Sequence, residues 1–284
     1  MRKGILRFLI FIHYWINRSG IKIIGLGWLQ KLLKEEFVFG TFGKKFQYDP
    51  QIEGSYDYLL IGRSNEPETH QLLDRVMQKL PIANFIDVGA SVGEFVFGIS
   101  RYKNVQHIYA FEPRPDCAEV LRKNVKLNKE ERIVIFENAL DNIGGGELLI
   151  HLNAGGSSSG IYSLKDKFQS KTVIVKTMTL DVALPFILQN TVLLIDVEGA
   201  EPLVLEGGRT FIQKNKPLII FEYNQTSKKH FHLDEIDKIL GSGYELFRLN
   251  GDGNLDQDFS NSWNCVAIPE NCLFKEVLSE SIKK

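Results

Sequence analysis

The chain has 284 residues, 44% of them hydrophobic and 24% charged, with a formal net charge of -1. That is a soluble globular composition, long enough for one large domain or two small ones. The near-zero charge gives no general pull toward nucleic acid, so no nucleic-acid partner is expected. Cys117, Cys265 and Cys272 are odd in number and none lies in a C-x-x-C, which argues against a disulfide framework or a zinc site and for a reducing, cytoplasmic setting.

From Met1 to Lys34 there is no acidic residue, while Arg2, Lys3, Arg7, Arg18, Lys22, Lys31 and Lys34 are basic and flank the apolar run Phe8 to Ile16. The run is too short to span a bilayer, which takes roughly 20 apolar residues. No small-residue cleavage site follows it. Two readings stay open for residues 1–34: a basic interfacial helix in peripheral contact with a membrane, or a helix covering the main domain. Residues 37 to 62 are rich in aromatics and punctuated by glycines, and read as a few short strands or a hairpin. Around Pro67, acids in the first turn and Leu72, Val76 and Leu80 on one face predict a helix.

From Asn84 onward apolar strands alternate with amphipathic helices. The strands are "FIDV", "HIYAFE", "RIVIFE", "VLLIDV" and "PLIIFEY"; the helices include Glu94 to Tyr102, Asp116 to Asn128 and Ala200 to Gln213. The alternation predicts a parallel sheet covered by helices on both faces. An insertion interrupts it, where "GELLIHL" and "KTVIVKTMTL" read as extra strands around the small-residue loop Asn153 to Gly160. After a helix at Leu233 to Leu240, "YELFRLN" and "WNCVAIP" predict an antiparallel pair at the sheet edge.

The stretch "NFIDVGASVGEF", residues 84 to 95, has two readings. As G-x-S-x-G it is a hydrolase nucleophile elbow at Ser91, with Asp196 and His230 or His232 completing a triad. As a strand ending in Asp87 and a glycine turn opening a helix, it holds a nucleotide-like ligand. Ser91 replaces the second glycine of a dinucleotide fingerprint, and no Walker lysine follows, so little phosphate is expected. Glu112, at the tip of the next strand, is placed to accept hydrogen bonds from both hydroxyls of a ribose. A ribose, little phosphate and a cation near Asp87 describe S-adenosyl-L-methionine. The hydrolase reading leaves Asp87 and Glu112 without a role.

The blocks "FIDVGASVGEF", "YAFEPRPDCAEVLRKNVKLN", "ENALDNIGGGELLI", "VKTMTLD", "LLIDVEGAEPLVLEGG" and "PLIIFEYN" together resemble, in order, the FkbM family of S-adenosylmethionine-dependent methyltransferases. The resemblance runs from about Glu66 to Pro269. One departure is visible: Ser91 stands where the family usually has asparagine. The resemblance implies a class I methyltransferase fold, an α/β Rossmann-like sheet of seven mostly parallel strands in the order 3-2-1-4-5-7-6 with an antiparallel C-terminal hairpin. It implies O-methylation of a hydroxyl on a sugar, glycan precursor or natural product. It places Asp87, Gly89, Ser91 and Gly93 at the methionine half of the cofactor, Glu112 at the ribose, and Asn138, Ala139 and Leu140 at the adenine. The implied organisation is an N-terminal segment 1–65, a methyltransferase domain 66–270 and a tail 271–284.

Ligands in open parallel sheets sit beyond the carboxyl ends of the strands, so the reacting end should lie past the fourth and fifth. Asp196 and Glu222 occupy those tips and are the candidates to organise the acceptor and take its proton. His151, beside the glycine-serine loop, is a third candidate, and the loop itself is a candidate lid. Asp196, Glu222 and Asn224 supply the oxygen ligands of a hard-cation site, but such a pair also serves as plain hydrogen-bond acceptors; no metal is assigned. Glu201 and Pro202 read as a helix start. A module that binds the cofactor without turnover is the alternative from a different functional class.

Overall fold

The computed structural model describes residues 36–56, 59–61, 64–152, 159–160, 171–186, 188–270 and 272–282. The basic segment 1–34 lies outside these residues, as does most of the glycine-serine loop. Among the described residues no helix is long and apolar enough to cross a membrane.

The described residues open with a hairpin, β1 (Phe37–Thr41) and β2 (Lys44–Tyr48), followed by short 3-10 turns rather than further strands. Helix α1 (Pro67–Lys79) starts on a proline at its first turn and buries Leu72, Leu73, Val76 and Met77. Then come β3 (Ala83–Val88), α2 (Glu94–Ile99), β4 (Val105–Phe111), α3 (Pro115–Asn128) and β5 (Ile133–Phe136). The insertion carries β6 (Ala139–Leu140), β7 (Glu147–Leu152), β8 (Ser159–Gly160), β9 (Lys171–Met178) and the short α4 (Leu180–Ala183). The wound pattern resumes with β10 (Thr191–Ile195), α5 (Glu201–Gly207), α6 (Arg209–Asn215), β11 (Leu218–Glu222) and α7 (Leu233–Leu240). It closes with β12 (Tyr244–Leu249), β13 (Leu255–Asp256), β14 (Asn264–Pro269) and α8 (Leu273–Leu278).

The main sheet runs β13-β12-β14-β11-β10-β3-β4-β5. Its strands from β11 to β5 are parallel; β14 runs antiparallel to both its neighbours, β11 and β12, so β12 points the same way as the parallel set. Without β13 the order is the expected 3-2-1-4-5-7-6. The eighth strand is a two-residue edge piece beyond the "GDGN" turn, paired with β12 through Arg248 and Leu249. Every residue of β3, β10 and β11 is buried, because helices cover both faces of a parallel sheet; such strands therefore read as continuous apolar runs. The helix expected over Ala200 to Gln213 is two helices, broken at Gly208, where an added Cβ would lie 2.8 Å from Leu180 Cδ2.

One face of the sheet buries Phe85, Val96, Phe97 and Leu121 with α1; the other buries Ile86, Val88, Ile195, Val204 and Phe211. Both ends of the described chain join the first cluster. Phe46, Tyr48 and Tyr56 enter from the front, and Phe274, Val277 and Leu278 from the back. The front hairpin is keyed to α3 by side-chain amides: Gln47 N donates to Asn124 Oδ1 at 2.6 Å and Lys45 N to Asn128 Oδ1 at 2.8 Å. The insertion forms its own sheet, β6-β9-β7-β8, which buries Ile150 and Val175 against Ala139.

Candidate active site

A cavity of about 680 Å³ opens at the carboxyl ends of β3, β4, β10 and β11. The strand tips are pinned to one another by backbone bonds: Gly89 N donates to Phe111 O at 2.9 Å, and Asp196 N to Val88 O at 2.9 Å. An added Cβ on Gly89, whose φ is +96°, would fall 1.9 Å from the carbonyl oxygen of Asp196. Only glycine lets the first and fourth tips meet. Gly93 (φ +97°) starts α2 as its cap, and a Cβ there would press on Leu121 and Phe97. It shapes the turn from behind and is not among the residues lining the cavity.

Asp87, Ser91 and Glu112 line one half of the cavity. Glu112 is held by backbone amides, Ser91 N to Oε2 at 2.7 Å and Arg114 N to Oε1 at 2.8 Å. Burial raises its pKa to about 7 despite those two donors. Asp87 is 2% exposed, and its Oδ2 is buried without a hydrogen-bond partner. Burial first, then the charge of Glu112, raises its pKa to about 8. An orphaned, desolvated carboxylate of this kind calls for a cationic donor. Each Glu112 oxygen accepts one of these amides and retains lone-pair capacity for a hydroxyl. Asn138, Ala139 and Leu140 form the adjacent wall.

The other half is lined by Asp196, Glu198, Glu222, Asn224, Thr226 and Trp263. Glu222 accepts from Asn224 Nδ2 at 2.5 Å and Ser227 Oγ at 3.3 Å. Burial and the neighbouring Glu198 raise its pKa to about 9. Asp196 is pushed well above the ordinary carboxylate range by burial and by Glu222. Glu201, read from sequence as a helix-start acid, is fully buried and accepts from Val197 N and Gly199 N on Oε1, while its Oε2 has no partner. Burial raises its pKa to about 7. It underpins the turn that carries Asp196 and Glu198. Among the described residues no group of three or more His, Cys, Asp or Glu could hold a metal ion.

The strand carrying His151 turns it away from the cavity. Leu148 and Ile150 line the cavity, and side chains alternate along a strand. His151 thus shares the opposite face of β7 with Leu149, which is 46% exposed, and pairs in register with Thr172. Neither His230 nor His232 lines the cavity beside Ser91; His232 is the N-cap residue of α7, its backbone amide donating to Glu235 Oε1 at 2.9 Å.

Glu66 and Trp263 are among the lining residues that the sequence did not single out. Glu66 reads as a helix-start acid, yet it is 8% exposed, lines the cavity, and accepts from Thr69 Oγ1 and from Asn264 Nδ2 on β14. Burial raises its pKa. Trp263 precedes β14 and is 54% exposed at the cavity rim. The "EP" before a helix was Glu66's only local signal; Trp263 had none.

A parallel sheet in this order, with a glycine turn and acids at neighbouring tips, is the fold of class I methyltransferases. A family model described as the methyltransferase FkbM domain matches residues 87–249, more than half of the sequence, and the chain belongs to that family. Among solved structures it is similar to a methyltransferase FkbM from Methylobacillus flagellatus KT, with 16% identity and a TM-score of 0.43 over 77% of this chain and 53% of that one. It is also similar to an rRNA methylase from Streptococcus thermophilus, with 9% identity and a TM-score of 0.42 over 72% and 98% of the two chains. A precorrin-6y C5,15-methyltransferase from Geobacter metallireducens GS-15 shares 10% identity and a TM-score of 0.40 over 72% and 87%. The chain spans about half the length of the FkbM structure it matches. No curated protein matches it.

Proposed function

We propose that the protein transfers the methyl group of S-adenosyl-L-methionine to a hydroxyl oxygen of a sugar, glycan precursor or natural product. The reading rests on one observation above the others: the buried, unpartnered Oδ2 of Asp87 lies in the same cavity as the carboxylates of Glu112, Asp196 and Glu222. Asp87 would hold the ammonium of the cofactor, Glu112 the two ribose hydroxyls, and Asn138, Ala139 and Leu140 the adenine. Bound there, the cofactor supplies an activated methyl on a sulfonium leaving group.

The chain's own task is then alignment and proton transfer. Glu222 raises the proton affinity of Asp196, burial and Glu198 raise that of Glu222, and two such carboxylates share a proton across neutral pH. One of them, Asp196 in this proposal, accepts the acceptor's hydroxyl proton as the new O–C bond forms and the methyl–sulfur bond breaks. Glu222, held by Asn224 and Ser227, orients the hydroxyl. Leu148 and Ile150 close the cavity from the insertion and limit water. His151 has no part in this scheme.

The test has two stages. Calorimetry with S-adenosylhomocysteine should show one site per chain, abolished in an Asp87→Asn, Glu112→Gln double variant. Label transfer from methyl-labelled cofactor to hydroxylated acceptors should follow. Binding without transfer to any acceptor would leave a cofactor-binding module, and no binding would remove the proposal altogether.

A further inference from the structure

Trp263 is a large apolar ring that the fold leaves uncovered at the acceptor end of the cavity. It is 54% exposed and lines the cavity with Glu222 and Thr226. Among the described residues the other two aromatics of the lining are engaged in packing. Phe95 stacks on His70 and Phe111 on Phe136, each with ring centroids 4.6 Å apart. The backbone that carries Trp263 is fixed on both sides. Its carbonyl oxygen accepts from Tyr223 N at 2.8 Å. Ser262, just before it, is buried and donates from Oγ to Tyr223 O at 2.8 Å. Asn264, just after it, is buried, pairs in register with Glu222 and donates from Nδ2 to Glu66 and to Thr69. An indole presented from so rigid a base supplies contact area at little entropic cost. A lone apolar side chain on a convex surface needs no explanation; this one borders a cavity whose groups on that side are polar.

Those groups indicate what covers the ring. In the proposed scheme Asp196 and Glu222 share a proton, so the pair both donates and accepts hydrogen bonds, as a hydroxyl does. Thr226, exposed beside them, adds a hydroxyl of its own. The acceptor half thus offers one flat apolar face and a set of groups matched to hydroxyls. A simple phenol has the flat face but a single hydroxyl, and an open-chain polyol has hydroxyls but no face. A sugar ring in its chair form has both, with C–H bonds on one side and hydroxyls around the edge. We infer that Trp263 is the platform for the acceptor, a pyranose whose C–H face lies on the indole and whose edge hydroxyl points to Asp196 and Glu222. The inference rests on the proposed methyl transfer. It makes Trp263 a residue that selects the acceptor and takes no part in the chemistry.

The test uses the full chain saturated with S-adenosylhomocysteine, titrated with the methyl pyranosides of glucose, galactose, mannose and rhamnose, with phenol and with sorbitol. At least one pyranoside should bind about tenfold or more tightly than phenol and sorbitol. It should also shift the emission of Trp263 to the blue, read as the parent spectrum minus that of Trp263→Phe. Trp263→Ala should weaken that pyranoside by about ten- to a hundredfold, the loss of an aromatic anchor, and Trp263→Phe should keep it within about threefold. S-adenosylhomocysteine affinity should stay within about twofold in both variants. Pyranosides that bind no better than phenol or sorbitol, or not at all, would overturn the inference, as would a Trp263→Ala variant that binds them as the parent does. Failure of S-adenosylhomocysteine itself to bind would overturn the methyl-transfer reading first, so the two failures are separable.

Discussion

The two halves of the cavity hold their acids by different means. Around Glu112 the donors are backbone amides of Ser91 and Arg114, positioned by the turn and by the strand end. Around Glu222 and Glu66 they are side chains: Asn224, Ser227 and Thr69 from the local turns, and Asn264 from a strand far along the chain. Backbone donors follow from the fold and change little when side chains change. Side-chain donors can be exchanged one at a time. A reaction with an invariant donor and a variable acceptor suits that division: the turn fixes one ligand, and replaceable groups select the other.

The largest test removes the point where the halves touch. Gly89→Ala puts a Cβ 1.9 Å from the Asp196 carbonyl oxygen at a φ of +96°, so either the turn or the fourth strand tip must move. We expect a loss of about 4 kcal/mol or more in thermal denaturation, with no binding of S-adenosylhomocysteine. A variant that melts like the parent would show that the tips are not locked together. The next test separates the halves. Glu112→Ala should weaken S-adenosylhomocysteine about a hundredfold in calorimetry. Asp196→Asn should lower kcat by about 10²- to 10⁴-fold while leaving that affinity nearly unchanged. Equal losses of affinity in both variants would mean that the halves are one site.

A pH series sharpens the contrast further. Asp87 has a folded-state pKa of about 8 against an ordinary value of 3.8. Between those values the folded protein keeps a proton that the unfolded chain has released, so stability falls as pH rises toward 8 and levels off above it. The ligand's ammonium prefers the ionised carboxylate, so the affinity for S-adenosylhomocysteine should move the other way. It should drop as pH falls below about 8, by at most about tenfold per unit for one proton. Asp87→Asn should remove Asp87's share of both slopes and leave the shares of Glu112, Glu201 and Glu222, whose pKa values also lie between about 7 and 9; thermal melts and calorimetry from pH 6 to 9, each read as parent minus variant, would show it. A difference of zero would assign the proton to another group.

What could be read from the sequence follows the same division. The parallel sheet was legible because "FIDV", "VLLI" and "PLIIFE" are apolar on both faces, and the glycine turn with its acids is a local pattern. Glu66 was not, since what gives it a place in the cavity is Asn264, on a strand far along the chain that pairs with Glu222. The span of β7 was legible but its facing was not: a strand alternates in sequence, and only pairing with β9 decides that Leu148 and Ile150 look inward and His151 outward. The continuous period over Ala200 to Gln213 hid the break at Gly208, where the backbone leaves helical dihedrals (φ -110°, ψ 13°) and α5 ends.

The smallest expected effect concerns the one departure from the family's glycine turn. Ser91 has a φ of +49°, in the left-handed region that asparagine enters several-fold more readily than most residues other than glycine. Its amide donates to Glu112 at 2.7 Å, so the conformation is the one that aims the donor. Ser91→Asn should relieve part of the backbone cost and stabilise the protein by roughly 0.5 kcal/mol, about a degree or two in Tm. Because the amide does the holding of Glu112, S-adenosylhomocysteine affinity should stay within about twofold. A larger loss of affinity would mean that the serine hydroxyl itself contacts the ligand, and that the turn half of the cavity depends on side chains as the acceptor half does.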